Sequence, residues 1–313
     1  MKKHVSILLM IVLLSVSFGG CTSEVPIEAA PVEPVVDQRQ DVKVGVIIST
    51  LLNPFFVDVK DGLVFEADQY NLDLVLLDSR DDSQLEKSHM QTLINEKVDA
   101  IVLNATDPDA PVSMIEEAVK VGIKVVTIDR VINSDKVSVH VTSDNYTGGK
   151  LAGHFVLEQL EGKGHVVELL GIDGASVDGE RGAGFQHVLN GSEVEIIEMQ
   201  RADFDRLKGQ SVMEDLLQKY ANIDAVFAHN DEMALGALKA VTQANRKIVV
   251  VGFDGIDDAV IAVQDGSMGA TIAQQPKEIG IEGIRTVMKL MNNESVDETV
   301  YVPLKLITSL TNE

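Results

Sequence analysis

An α/β fold is predicted by three features of the sequence. Short apolar runs recur at 42–48, 72–77, 99–103, 123–128, 165–170, 224–227 and 247–252. Segments of helical periodicity separate them. Polar and aromatic residues follow the runs almost at once, as in Ser49-Thr50-Leu51-Leu52-Asn53-Pro54-Phe55-Phe56. Continuous apolar strands alternating with helices give parallel sheets covered on both faces, and such sheets place ligands beyond the carboxyl ends of their strands.

The amino end stands apart from this series. Lys2 and Lys3 precede an interrupted apolar run from Val5 to Phe18, too short for a comfortable membrane span of roughly 20 residues and shaped like a signal peptide. It closes on Phe18-Gly19-Gly20-Cys21, similar to the lipobox of bacterial prolipoproteins, with Phe18 where an aliphatic residue is usual. We therefore expect residues 1–20 to be a lipoprotein signal peptide, Cys21 to be lipidated, and 21–40, with Pro26, Pro31 and Pro34 among Glu24, Glu28 and Glu33, to be a flexible tether. Cys21 is the single cysteine of the 313 residues, so no internal disulfide is available. Without residues 1–20 the chain has 24 basic against 49 acidic side chains, a balance of −25. That charge argues against nucleic acid and against unaided binding to anionic lipid, so the expected location is extracytoplasmic, at the membrane through the lipid alone.

From Asp41 each segment follows strand-then-helix logic. Val42 to Ile48 reads as a buried strand, and the segment after Phe56 as a helix. Val112, Ile115, Ala118 and Val119 share one helical face, as do Val212, Met213, Leu216, Leu217 and Tyr220. Val137 to Val141 alternates, and Thr142-Ser143-Asp144-Asn145 then offers a helix cap, with Gly148-Gly149 allowing close approach. A chain crossing between two lobes is expected there. A second is expected at Gln274-Gln275-Pro276, ahead of a helix with apolar positions Ile281, Ile284, Val287, Met288 and Met291. The run Tyr301 to Ile307, a strand broken by Pro303, suggests a third. The expected lobes are 41–143 plus 275–303, and 144–274 plus 304–313.

The residues just after the strands form the candidate site: Asn53, Phe55 and Phe56; Asn104; Asp129 and Arg130; Asn230 with Asp231; Phe253 and Asp254; and Gln274. Asparagine, carboxylate, guanidinium and glutamine supply donors and acceptors in planar pairs, and phenylalanine supplies flat apolar faces. A sugar ring needs both. Arg181, early on the glycine-rich stretch 179–184, and Phe204, just before a cap at Asp205, are further candidates. No phosphate loop or dinucleotide fingerprint is present, and the histidines 89, 140, 154, 165, 187 and 229 lack metal-ligand spacing. No serine sits in a nucleophile elbow, and Asp231 and Glu232, neighbours on a helix, point apart. Neither a cofactor nor a metal is expected, and binding is a simpler account than catalysis.

Ser49 to Phe56, Leu77-Asp78-Ser79, Thr127 to Arg130, Ala202 to Arg206, Asn230 to Leu238, Val250 to Gly255 and Ala270 to Gln274 closely resemble the D-ribose-binding proteins of bacterial ABC importers, in register from Asp41 to the carboxyl end. The resemblance implies the two-lobed periplasmic-binding-protein fold, each lobe a parallel sheet with helices on both faces, joined by three crossings. It implies sugar contacts at Asn53, Phe55, Phe56, Asn104, Asp129, Arg130, Arg181, Phe204, Asn230, Phe253, Asp254 and Gln274. It also implies a monomer that closes on ribose or a close monosaccharide and is read by a membrane permease. Leu52 replaces a polar residue of the family and Ala105 interrupts its proline-containing loop, which bears on affinity through the pocket's surroundings.

Other readings share this fold. A receptor feeding chemotaxis or quorum sensing, through a chemoreceptor or a furanosyl signal, would use the same closed form. A sugar-processing enzyme would turn ribose over. A repressor core would follow a basic helix-turn-helix, and here that place holds the signal-like run and an acidic tether.

Overall fold

The structure, a computed structural model, describes residues 42–309. Cys21, the expected signal peptide and the tether lie outside the described residues. No helix among the described residues is long and apolar enough to cross a membrane.

The apolar runs build two six-stranded sheets. In the first, β1 (Lys43–Ile48), β2 (Asp73–Asp78), β3 (Ala100–Leu103), β4 (Lys124–Ile128), β5 (Val139–Ser143) and β11 (Thr299–Val302) lie in the order β11-β5-β4-β3-β1-β2. In the second, β6 (Lys163–Leu170), β7 (Glu193–Arg201), β8 (Ala225–Ala228), β9 (Val249–Asp254), β10 (Ala270–Ala273) and β12 (Lys305–Thr308) lie in the order β12-β10-β9-β8-β6-β7. The two orders are equivalent. Each sheet reverses its winding beside its first strand, between β1 and β3 and between β6 and β8, and such reversals open a crevice at the carboxyl ends. The chain passes between the sheets after β5, after β10 and after β11. Ser143 Oγ donates to Gln274 O at 3.4 Å and Gln275 Nε2 to Pro303 O at 2.7 Å, tying these passages together.

Local chemistry starts the helices where the site needs them. Asn53 caps α1 (Pro54–Tyr70), its side chain accepting from Phe55 N, and Pro54 supplies the fixed first-turn φ. Asp144 caps α4 (Asn145–Gln159), Asp205 caps α6 (Arg206–Lys219) and Asn230 caps α7 (Asp231–Gln243). The remaining helices are α2 (Ser83–Asn95), α3 (Val112–Lys120), α5 (Ser176–Leu189), α8 (Asp257–Gln264) and α9 (Pro276–Met291). The glycine-rich start of α5 serves packing. A Cβ on Gly149 of α4 would lie 2.0 Å from Arg181 O, and one on Gly184 would lie 2.0 Å from Tyr146 O, so these two helices cross backbone to backbone.

Two expectations change, for the second sheet and for α9, while the break at Pro303 and the crossing there are as expected. The second sheet is not wholly parallel, because β12 pairs antiparallel with β10. The run 301–307 is two strands in two sheets, divided at Pro303-Leu304, since proline cannot continue a ladder. On α9 the buried apolar positions are Ile279, Ile284 and Val287, whereas Ile281, Met288 and Met291 are only half-buried. β7 escaped the reading of apolar runs because it is an edge strand, paired on one side, with Glu193, Glu195 and Glu198 facing water or partners in water.

Candidate ligand-binding site

The strand ends of the two sheets converge on one cavity, about 270 Å³ of empty space with open solvent at its mouth included, lined by Asn53, Phe55, Phe56, Asp129, Arg130, Val177, Arg181, Phe204, Asn230, Asp254 and Gln274. All the candidates named from the sequence line it except Asn104, Asp231 and Phe253, which lie immediately behind it. Asn104 is fully buried, accepting from Ser49 Oγ at 2.6 Å and donating to Ile128 O at 3.2 Å. Phe253 is the floor on which the Arg181 guanidinium rests, 3.9 Å above the ring centroid.

On the first sheet's side, the Phe55 and Phe56 rings meet edge to face, centroids 5.2 Å apart. Arg130 lies 5.3 Å from the Phe56 centroid and donates through Nη1 to Ala105 O at 3.2 Å. Its Nε is 4.0 Å from Asp129 Oδ2, which also receives Asn104 Nδ2 at 3.5 Å. The Asn53 side-chain oxygen is committed to the α1 cap, so its NH₂ is the group left to donate.

On the second sheet's side, Arg181 is fixed from three directions. Nε donates to Asn145 Oδ1 at 2.9 Å, Nη1 donates to His229 O at 2.6 Å, and Nη1 lies 3.7 Å from Asp254 Oδ1. Gln274 Nε2 donates to Asp254 Oδ1 at 2.7 Å, while the buried Gln274 Oε1 has no partner in the protein. Asp231, behind the wall, accepts from Gly255 N at 2.7 Å, Ile256 N at 3.0 Å and Thr271 Oγ1 at 2.7 Å, and so holds the loop that aims Asp254. The Asn230 oxygen is likewise used by its cap, receiving Met233 N at 2.9 Å.

Three lining residues sit in the left-handed region that side chains normally avoid: Asp129 at φ 63°, Phe204 at φ 59° and Asp254 at φ 127°. Such conformations persist where surrounding contacts over-determine them, typically at functional sites. Phe204 is held over Gly171, where a Cβ would come within 2.0 Å of its ring. Burial pushes the Asp129 carboxyl up from its ordinary value against the pull of Arg130 and Arg181. Asp254 is also pushed well up by burial, against Arg181 and with Asp231 adding to the rise. Burial lowers Arg181, which both carboxyls partly restore. Charges of both signs are thus desolvated, and hydroxyl partners would relieve them.

The sequence missed Val177, an ordinary apolar residue in the first turn of α5. Its only signal was its place beyond the end of β6. Leu52, expected to influence the pocket from behind, is 89% exposed and does not line the cavity. Among the described residues no cluster of His, Cys, Asp or Glu is arranged to hold a metal ion.

Residues 44–295 match the model of a periplasmic binding protein domain. The chain is 41% identical over 308 residues to a ribose import binding protein of Bacillus subtilis (strain 168), covering 98% of this chain and 99% of that one. It is 42% identical over 265 residues to a ribose import binding protein of Escherichia coli (strain K12), covering 84% and 90%. Among solved structures it superposes, with TM-score 0.83 and 27% identity, on the periplasmic binding protein component of the arabinose ABC transporter from Shewanella sp. ANA-3 bound to L-arabinofuranose. That match covers 86% of this chain and 93% of that one.

Proposed function

The chain belongs to the periplasmic binding protein domain family, and on that premise we propose that it captures D-ribose between its two lobes and delivers it to an ABC importer. Its family and these relatives are binding proteins, not enzymes. The observation that carries the ligand is the cavity itself. It joins an edge-to-face phenylalanine pair to two guanidinium forks, two carboxyls, two donor amides and an unpartnered glutamine oxygen, the flat apolar faces and planar polar pairs that a sugar ring needs.

In this reading the rings of Phe55, Phe56 and Phe204 cover the C–H faces of the sugar. Asn53 and Asn230 donate to its hydroxyls, as do Arg130 and Arg181, while Asp129, Asp254 and Gln274 Oε1 accept from them. Asn104 and Phe253 act from behind, by holding Asp129 and Arg181. Because the ligand's partners come from both sheets, its full set of contacts exists only when the lobes close, and binding shifts the population to the closed form. The lobes are 41–143 plus 275–303 and 144–274 plus 304–313, hinged at the three passages. The closed monomer is the species a permease reads. Residues 1–20 direct export, and lipid on Cys21 retains the protein at the membrane.

Titration calorimetry of the chain starting at Thr22 against D-ribose, with allose, arabinose, xylose, galactose and glucose alongside, tests the ligand. One-to-one binding selective for ribose is expected. Silence with ribose and heat with another sugar would replace the ligand and keep the mechanism. For the anchor, Cys21→Ala should release the protein from membranes of the host.

A further inference from the structure

Behind the second sheet's half of the cavity lies a buried charged cluster that the proposed binding contacts do not use. The His229 ring, 1% exposed, is clamped between two carboxylates, with Nδ1 2.5 Å from Asp178 Oδ1 and Nε2 3.3 Å from Glu168 Oε2. A neutral imidazole carries one N–H and one lone pair, so it can satisfy only one of these acceptors. The two-sided clamp fits an imidazolium. The cluster continues outward. Asp178 Oδ1 also accepts from Gly171 N at 2.6 Å, and Arg201 Nη1 reaches Asp178 Oδ2 at 3.3 Å and Gly171 O at 2.9 Å. Asp173 pairs with Arg201 Nη2 at 2.5 Å, and Gln186 Nε2 donates to Glu168 at 3.3 Å.

Each arm of the cluster ends at a cavity wall. The His229 carbonyl receives Arg181, and the next residue is Asn230. Asp178 follows Val177. Gly171, held on both its N–H and its carbonyl, is the shelf under Phe204. We propose that His229 is a positioning residue, whose imidazolium locks β6, β7, β8 and α5 in the arrangement the sugar requires, so that D-ribose binding is coupled to one proton on His229. This rests on the ribose reading above.

Loss of the proton turns a ring lone pair toward Asp178 or Glu168, and that contact opens. If Asp178 moves, Gly171 and Arg201 lose their anchor. If the ring turns, the strand end carrying the His229 carbonyl is freed, and Arg181 with it. The free protein tolerates either change, but the complex needs the walls in place, and linkage then makes the sugar favour the protonated ring. Burial opposes the charge on His229, but its hydrogen bonds to Asp178 and Glu168 outweigh burial and hold its pKa above the ordinary value. The groups facing the ring are Glu168 from β6, Asp178 from α5 and, through Asp178, Arg201 from β7. Arg181, beside its carbonyl, faces Asp254 and Asp129 across the cavity.

The test is calorimetry of D-ribose binding at several values between about pH 6 and pH 10, in pairs of buffers with different ionisation heats, on the wild-type chain and His229→Gln. The titration of the His229 ring is followed by NMR in the free and the sugar-bound wild-type protein. We expect proton uptake on binding along the alkaline limb and a weakening of at least about threefold across it. The ring pKa should be higher in the complex, and the limb should be absent from His229→Gln. A wild-type protein that binds ribose with the same ring pKa free and bound, or a limb that survives in His229→Gln, would overturn the coupling and leave the ribose reading intact. Should the variant not fold, the wild-type ring titration decides alone. No heat with ribose at any pH would instead overturn the ligand assignment, and this coupling with it.

Discussion

In the first sheet's half of the cavity the charged pair Asp129 and Arg130 rests on neutral groups, namely the Asn104 amide and the Ala105 carbonyl. In the second half Arg181 rests on a chain of ions, with Asp254 in front and, behind the His229 carbonyl, the clamp of Asp178 and Glu168. The strand order of the two halves is the same, only the outer strands β11 and β12 differing in direction, and even their capping asparagines, Asn53 and Asn230, correspond. The difference lies in the support. Neutral supports act locally and do not titrate, whereas a buried ionic network ties several elements together and is costly to break at one point.

The largest effect should therefore follow Arg181→Ala. It removes two hydrogen bonds, the contact with Phe253 and the counter-charge of Asp254, and should cost D-ribose binding about 2–5 kcal/mol or more, with a lower unfolding midpoint in the free protein. Arg130→Ala loses one carbonyl hydrogen bond and a longer contact with Asp129. About 1.5–3 kcal/mol is expected there, as for other hydrogen bonds to charged groups, with the free fold little changed. Calorimetry and thermal unfolding of both variants, run side by side, decide the matter. Equal losses in stability would remove the distinction between the halves.

A smaller effect concerns acid. Asp129 and Asp254 are pushed up by burial, and hydroxyls donating to them favour the ionised form, so sugar binding lowers their pKa values. Affinity should then rise with pH through the raised carboxyl range, the opposite sign to the His229 limb, giving a bell-shaped profile. Asp129→Asn should weaken binding and flatten part of the acid limb. An acid limb unchanged by this substitution would assign it to Asp254 and Asp231.

How much of this was legible from residues is uneven, for physical reasons. Strands buried on both faces announce themselves as apolar runs, so β1, β3, β4, β8 and β9 were plain. The edge strand β7 is half-solvated and was not. Cavity residues were readable because this fold puts them just after strands, and Arg181 and Phe204 were nominated by their places at a helix start and before a cap and singled out by resemblance. The ionic cluster was invisible, since Glu168, Asp178, Arg201 and His229 come from four separate elements and no local spacing brings them together. Asp231 was named beside Asn230 and set aside only as a catalytic pair with Glu232, and its role in holding the Gly255 loop required the tertiary contacts.

The first half has one exception to its neutral support, and it gives the prediction that most sharpens the contrast. Glu86 on α2 is fully buried, receives Thr106 N at 2.7 Å through Oε2, and has no partner for Oε1. Burial pushes its pKa up to about 7 against the hydrogen bond from Thr106 and the field of Arg130. Between the ordinary carboxyl value and about 7 the folded protein holds a proton that the unfolded chain has lost, so this group makes stability fall as pH rises through that window. Integrated over the shift, the loss is at most about 3 kcal/mol. Glu86→Gln keeps an acceptor for Thr106 N and removes the titration. Its unfolding free energy relative to wild type should grow steadily as pH is raised from the ordinary carboxyl value to about 7, then level off. Because Glu86 reaches the cavity only through the Thr106 backbone and Arg130, its effect on D-ribose affinity should stay within about threefold, well below that of Arg181→Ala. A larger shift would mean that the first half, too, is held by charge, and the two halves would then differ in residue identity but not in kind.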